Sequence, residues 1–161
     1  MPFLAVALPI AAVIFVADQL TKSWAQSTLS SAPGNSIEIV DNWLRFSLSH
    51  NTGAAFSTLQ GQRILYLIIA AVIVVVGYGY YRYLPRDKWL LQVCVGLQLG
   101  GAVSNNLVDR IRQGYVVDFI DVGVGNLRWP WFNIADSAIV VGIIILAGYL
   151  VLVGEKGTGR G

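Results

Sequence analysis

Residues 133–154 read Asn-Ile-Ala-Asp-Ser-Ala-Ile-Val-Val-Gly-Ile-Ile-Ile-Leu-Ala-Gly-Tyr-Leu-Val-Leu-Val-Gly, an apolar run in which Asp136 alone is charged. At about 1.5 Å per helical residue, the uncharged part of this run covers most of the roughly 30 Å hydrocarbon core of a bilayer. Three further stretches carry no charge, residues 1–17, 64–81 and 89–108. The chain is therefore predicted to form four transmembrane helices.

The composition supports a membrane protein. Hydrophobic residues make up 55% of the 161 residues, charged residues only 12%, and the mean hydropathy is +0.62. We expect one membrane domain over residues 1–161, with spans at about 3–22, 62–83, 88–108 and 134–154. The net charge of +2, with its basic residues scattered, does not support a nucleic-acid partner.

Residues 23–61 and 109–133 are expected to form two extracytoplasmic segments. In the first of them, Leu44, Phe46 and Leu48 alternate with polar residues, which is typical of a half-buried strand. The basic residues in the short turn 82–88 favour cytoplasmic termini. The predicted fold class is an all-α polytopic membrane protein with a small extracytoplasmic sheet.

Two carboxylates have no obvious structural role. Asp118 interrupts the apolar run Tyr115-Val-Val-Asp-Phe-Ile120, and Asp136 begins the last span. A carboxylate at a membrane boundary is costly unless it is paired or protonated, so both acids are candidate functional groups. Two carboxyl groups within a few ångströms share a proton, because they cannot both ionise, and such a pair can act as general acid and general base. This chemistry is that of an aspartic protease.

Both assignments have an alternative that the residues leave open. Asp121 competes with Asp118, since the two face opposite ways on a strand and the same way on a helix. Asn133 is a good helix N-cap, and Asp136 three residues later would complete a capping box. The helix start alone could account for both residues.

Two other polar groups precede the second span. Asp18 and Lys22 are spaced i, i+4, which favours an interfacial ion pair with a snorkelling lysine. The stretch Asn51-Thr-Gly-Ala-Ala-Phe-Ser57 is either a strand-to-helix connection or a place where the backbone at Gly53 approaches a ligand closely.

The end of the third span is also polar. Asn106, Asp109 and Arg110 fall on one helical face, either to anchor the helix end or to support a site. The only cysteine, Cys94, is predicted to be a buried hydrophobe, and the only histidine, His50, an ordinary polar residue of the sheet. We expect no metal and no cofactor.

With these motifs in view, the chain resembles the lipoprotein signal peptidases (signal peptidase II), membrane aspartyl peptidases that process lipid-modified prolipoproteins. The resemblance covers nearly the whole chain. Its motifs occur in order: Asp18-Gln-Leu-Thr-Lys22, Asn51-Thr-Gly-Ala-Ala-Phe-Ser57, Asn106-Leu-Val-Asp-Arg110, Val116-Val-Asp-Phe-Ile120 and Phe132-Asn-Ile-Ala-Asp-Ser137.

The resemblance implies that Asp118 and Asp136 form a catalytic dyad near the outer face of the bacterial inner membrane, under a small β-cradle. It implies cleavage before the diacylglyceryl-modified cysteine, with lipid-modified prolipoproteins and membrane lipids as partners and no metal. We expect a monomer. The residues implied to line or support the site are Asp18, Lys22, Asn51, Gly53, Asn106, Asp109, Arg110, Asn133 and Ala135.

One departure from the family is Asn105, at a position where its members usually have glycine. We expect this side chain to alter the pocket shape or the helix curvature without touching the dyad. The alternative function is a non-catalytic membrane scaffold or a small transporter subunit, in which Asp136 only caps its helix and Asp118 only orders a loop.

Overall fold

Three long helices overlap the first, third and fourth predicted spans in the computed structural model, which describes residues 5–52 and 89–158. They are α1 (Ala7–Leu29), α2 (Trp89–Ala102) and, after a short α3 (Arg110–Arg112), α4 (Ile134–Thr158). The predicted second span, 62–83, lies outside the described residues. Among the helices of the described ranges, none combines the length and the hydropathy needed to cross a membrane.

Helix α2 packs against both α1 and α4 through glycine. A Cβ atom on Gly100 would lie 2.6 Å from the carbonyl oxygen of Ala11, and one on Gly101 would lie 2.5 Å from that of Ala135. Both distances are too short for a carbon atom, so only glycine allows these backbones to approach. The tight helix contact predicted for this part of the chain is confirmed.

The helix that begins with α2 changes its winding before it ends. Residues Val103–Asp109 form a π-helical segment, which is followed directly by α3. A π-helix has more residues per turn than an α-helix, so the segment alters which side chains face α1 and α4. Regular α-helical spacing does not hold here.

Within the described residues, four antiparallel strands form one sheet in the order β1-β2-β3-β4. They are β1 (Ser36–Val40), β2 (Leu44–Asn51), β3 (Val116–Val124) and β4 (Leu127–Arg128). The predicted small sheet and the strand predicted from the alternation at residues 44–49 are confirmed. The run around Asp118 is a strand, paired through Asp118 with Ser49 of β2.

The sheet rests on the end of α1. Ala25 and Leu29 of this helix are buried against Phe119 of β3. The ring of Trp24 meets those of Phe46 and Phe119 edge-on, with centroids 5.4 and 6.2 Å apart. This packing explains why α1 continues past residue 22 to Leu29, and it places β3 beside the start of α4.

Candidate active site

Asp118 lies in β3 with both carboxylate oxygens hydrogen-bonded. Oδ1 accepts a bond of 2.8 Å from Nδ2 of Asn133, and Oδ2 accepts one of 2.9 Å from Nδ2 of Asn51. The side chain is buried. Burial, and then the charge of Asp136, raise the pKa of Asp118 from an ordinary 3.8 to about 7, although the two amides oppose the shift. The carboxyl of Asp118 therefore exchanges its proton near neutral pH.

Asp121 has a different environment, three residues further along the same strand. Its carboxylate pairs with Arg45 at 2.7 Å and with Arg128 at 2.8 Å, and it is fully buried. Arg45 lies directly opposite Asp121 in the ladder between β2 and β3. Because β3 is a strand, residues 118 and 121 point to opposite faces. Asp121 is thus engaged in ion pairs that hold β2, β3 and β4 together.

Asp136 lies in the first turn of α4 and forms the predicted capping box with Asn133. Oδ1 of Asn133 accepts the backbone N–H of Asp136 at 2.9 Å, and Oδ2 of Asp136 accepts the backbone N–H of Asn133 at 3.2 Å. The cap uses only one carboxylate oxygen. The other, Oδ1, accepts a bond of 2.8 Å from Nδ2 of Asn105.

Asn133 connects the two acids. Its side-chain Nδ2 donates to Asp118. Its side-chain Oδ1 accepts the backbone N–H of Asp136, and its backbone N–H donates to the Asp136 carboxylate. Nδ2 also donates to the backbone oxygen of Val117 at 3.2 Å, and the residue is fully buried. The carboxyl groups of Asp118, from a strand, and Asp136, from a helix, are therefore both bound by the same buried residue.

A buried ion cluster supports this site from α1. Nζ of Lys22 lies 2.5 Å from Oδ2 of Asp18 and 2.7 Å from Oδ2 of Asp109. The predicted pair of Asp18 and Lys22 is confirmed, but the prediction that Lys22 snorkels to the interface was wrong. A buried ammonium is stable here because two carboxylates surround it.

The cluster also positions the start of α4. Oδ1 of Asp18 accepts the backbone N–H of Ala135 at 2.9 Å, so Ala135 contributes through its backbone. Helix starts leave several N–H groups without an intrahelical partner, and a buried carboxylate satisfies one of them. Asp136 follows directly, so its place depends on Asp18.

The π-helical segment carries the polar residues of the third motif differently from the prediction. Asp109 and Arg110 are buried as expected, but Asn106 is only half-buried and Asn105 takes the buried position. The expectation that Asn105 does not touch the dyad was wrong, since it donates to Asp136. The wider π-helical turn, which the sequence pattern does not reveal, brings Asn105 to face α1 and α4.

Two further residues escaped the sequence analysis. Nε2 of Gln19 donates to Oδ1 of Asp109 at 2.7 Å and to Oγ of Ser104 at 2.9 Å. Oγ of Ser104 in turn donates to Oδ2 of Asp18 at 2.6 Å. The one signal in the sequence was that Gln19 lies within the first motif and Ser104 directly precedes Asn105. Of the remaining predicted site residues, Gly53 lies outside the described residues.

Comparison with known proteins gives a consistent result over almost the whole chain. Residues 10–152 match the family described as signal peptidase (SPase) II. The lipoprotein signal peptidase of Moorella thermoacetica is 40% identical over 158 residues, which cover 98% of each chain. That of Bacillus subtilis is 44% identical over 138 residues, covering 85% of this chain and 87% of the relative.

Two solved structures of bacterial membrane enzymes, determined in meso, are similar to this fold. One superposes with a TM-score of 0.79 at 28% identity, covering 96% of this chain and 91% of the other. The second also has a TM-score of 0.79, at 31% identity, over 89% of this chain and 91% of the other.

Proposed function

The chain belongs to the signal peptidase II family of bacterial membrane proteases, and from this premise we propose that Asp118 and Asp136 are the catalytic acids with which it cleaves prolipoproteins. The enzyme removes the signal peptide from these precursors. The observation that carries the assignment of the acids is the contact of one buried residue, Asn133, with both carboxyl groups.

The chemistry follows from one proton shared by two acids. Asp118, whose pKa is raised to about 7, holds the proton, and Asp136 accepts a proton from the attacking water. The proton on Asp118 then passes to the oxygen of the scissile carbonyl as the tetrahedral intermediate forms. Collapse of the intermediate breaks the C–N bond, and the leaving amine takes a proton from the dyad.

The different exposure of the two carboxyl groups supports Asp136 as the base and Asp118 as the acid. Asp136 is partly exposed within the described part of the chain, whereas Asp118 is buried. Water can therefore reach Asp136, while Asp118 is kept in the environment that favours its neutral form. The ion cluster of Asp18, Lys22 and Asp109 holds the helix start that carries Asp136.

Residues of the second and third motifs are assigned to the surroundings of the two acids. Asn51 holds Asp118 through its amide, and we assign Gly53 and Asn106 to the substrate groove next to it. Asp109 at the end of the π-helical segment and Arg110 at the start of α3 are both buried, and we assign them to the support of this groove.

We also propose the finer membrane arrangement: four spans, cytoplasmic termini, and an active site near the outer face beneath the sheet. The position of the sheet beside the end of α1 and the start of α4, and the likeness of the fold to solved bacterial membrane enzymes, support it. The enzyme acts as a monomer within the lipid. The alternative of a scaffold or transporter subunit is not favoured, because the relatives over nearly the full length are peptidases.

The test is an assay with two matched substrates. Purified enzyme in detergent is incubated with a diacylglyceryl-modified prolipoprotein and with the same protein lacking the lipid. We expect cleavage of the first only, immediately before the modified cysteine, as mass spectrometry of the products would establish. Equal cleavage of both proteins would overturn the proposed substrate, and cleavage of neither would overturn the proposed activity.

A further inference from the structure

Asn105 lies between two charged groups, with each end of its side-chain amide directed to one of them. Its Oδ1 accepts a bond of 2.5 Å from the ammonium of Lys22. Its Nδ2 donates one of 2.8 Å to Oδ1 of Asp136. The side chain is only 5% exposed, so this contact is made below the surface that a substrate reaches.

The chemistry of the amide explains why it suits this place. Asparagine combines an acceptor oxygen and a donor nitrogen on one rigid plane. Here the acceptor faces the cation and the donor faces the carboxylate. An aspartate of the same shape could accept from Lys22 but could not donate to Asp136, and an alanine could do neither.

The contact also determines how the carboxyl group of Asp136 is oriented. Oδ2 is held by the backbone N–H of Asn133 and Oδ1 by Asn105. With both oxygens held, the carboxyl plane cannot rotate. A weaker pair of contacts between the amides of Asn105 and Asn133, at 3.3 and 3.5 Å, joins the two supports.

We infer that Asn105 is a positioning residue of the catalytic site, which fixes the carboxyl plane of Asp136 and links that acid to the buried charge of Lys22. This inference rests on the proposed function. Because hydrogen bonds in a buried chain polarise one another, the ammonium makes Nδ2 of Asn105 a stronger donor. The bond that holds Oδ1 of Asp136 is thereby strengthened.

Several titratable groups face this contact and contribute to its pH dependence. They are Asp18 and Lys22 from α1, Asp109 from the π-helical segment and Asp118 from β3. All of them are present in wild type and in every Asn105 variant. A difference between the pH profiles of these proteins therefore reports on position 105.

The test uses Asn105→Ala and Asn105→Asp, with Asn126→Ala and Asn126→Asp as matched controls in the exposed turn between β3 and β4. We expect both Asn105 variants to lower kcat by about 10- to 100-fold, the effect of losing one hydrogen bond to a charged group. KM should stay within about threefold, because Asn105 does not contact substrate. The Asn126 variants should match wild type.

The pH profile separates positioning from simple packing. In Asn105→Asp, a second carboxylate faces Asp136, so the acidic limb of kcat/KM should move upward by about one pH unit or more. A packing role would tolerate this isosteric change and leave the limb in place. Thermal melts in detergent show whether each variant folds. If Asn105→Asp does not fold, the kcat of Asn105→Ala tests the inference.

Wild-type kcat in Asn105→Ala, or an unshifted limb with normal kcat in Asn105→Asp, would overturn the inference. So would a loss that appears wholly in KM. These results differ from a failure of the proposed function, in which wild type itself would not cleave or Asp136→Asn would remain active. The wild-type and Asp136→Asn assays are therefore run beside the Asn105 variants.

Discussion

Nδ2 of Asn133 donates a hydrogen bond of 2.8 Å to Oδ1 of Asp118. The bond joins the N-cap of α4 to strand β3, two elements that the chain brings together only in the folded state. The same residue caps the helix that carries Asp136. This buried amide, together with the contact of Asp18 at the start of α4, thus sets the relative position of the two acids.

Asn133→Ser separates the cap from the bridge. Serine is as good an N-cap as asparagine, but its hydroxyl is too short to cap α4 and reach Asp118 together. We expect a loss of stability of about 1–3 kcal/mol, because buried acceptors on Val117 and Asp118 lose their donor, and a fall in kcat of about tenfold or more. Cleavage kinetics and melts measure both effects. A wild-type kcat would show that the bridge is dispensable.

The activity should fall above neutral pH. The proposed dyad requires one shared proton, and the pKa of Asp118 is raised to about 7 by burial and by the charge of Asp136. As pH rises through that value the proton is lost, so kcat/KM should decline with a slope of one log unit per pH unit. The range from about pH 6 to pH 9 spans this pKa, so a value of kcat/KM that stays constant across it would refute the shared proton.

The same pKa affects stability. The folded state binds the proton of Asp118 more tightly than the unfolded state, whose pKa is about 3.8. This contribution to stability is therefore complete below the lower pKa and is lost as pH rises towards 7, at about 1.4 kcal/mol per pKa unit. Asp118→Asn should remove this pH dependence, as melts across the pH range in matched detergent would show.

Asp121→Asn should affect stability rather than chemistry. Removing one partner from a buried ion pair costs about 3–5 kcal/mol, and the loss here should be smaller because solvent screens a partly exposed Arg45. The melting temperature should fall while kcat at low temperature stays within a few-fold of wild type. If Asp121→Asn folded normally yet lost all cleavage, the choice of Asp118 over Asp121 would be wrong.

Gly101→Ala should separate α2 from the start of α4. Its Cβ would lie 2.5 Å from the carbonyl oxygen of Ala135, next to Asp136. Overpacking of this kind costs about 1–3 kcal/mol, and a small shift of Asp136 should also lower kcat. The control is Gly148→Ala, where an added Cβ meets no atom within 4 Å in the described residues. Equal melting temperatures and rates for both variants would contradict the close packing.

Local patterns predicted the parts of the site that depend on neighbours in sequence. The alternation at Leu44, Phe46 and Leu48 predicted a strand, the spacing of Asn133 and Asp136 predicted the capping box, and Asp18 and Lys22 were predicted to pair. Each follows from the period of a single helix or strand. All three are present in the structure.

The rest depends on contacts across the chain and on a change in helix winding. Lys22 meets Asn105, and Asp18 meets the backbone of Ala135, at separations that no periodicity encodes. The π-helical segment Val103–Asp109 moves Asn105 into the position that regular spacing assigned to Asn106. Because that run is a strand, residues 118 and 121 point to opposite faces, and the contact with Asn133 shows that residue 118 faces the start of α4.

The most direct measurement is cleavage of a lipidated prolipoprotein by Asp118→Asn, Asp136→Asn and the double variant, each also melted in detergent. Asparagine retains the capping geometry at position 136 but cannot exchange a proton, so each single variant should fold normally and lose a factor of about 10²–10⁴ or more in kcat. The double variant should be no worse than either single one, because the two acids act as a unit. If Asp136→Asn instead keeps near-normal turnover, Asp136 is only a helix cap and the dyad is wrong.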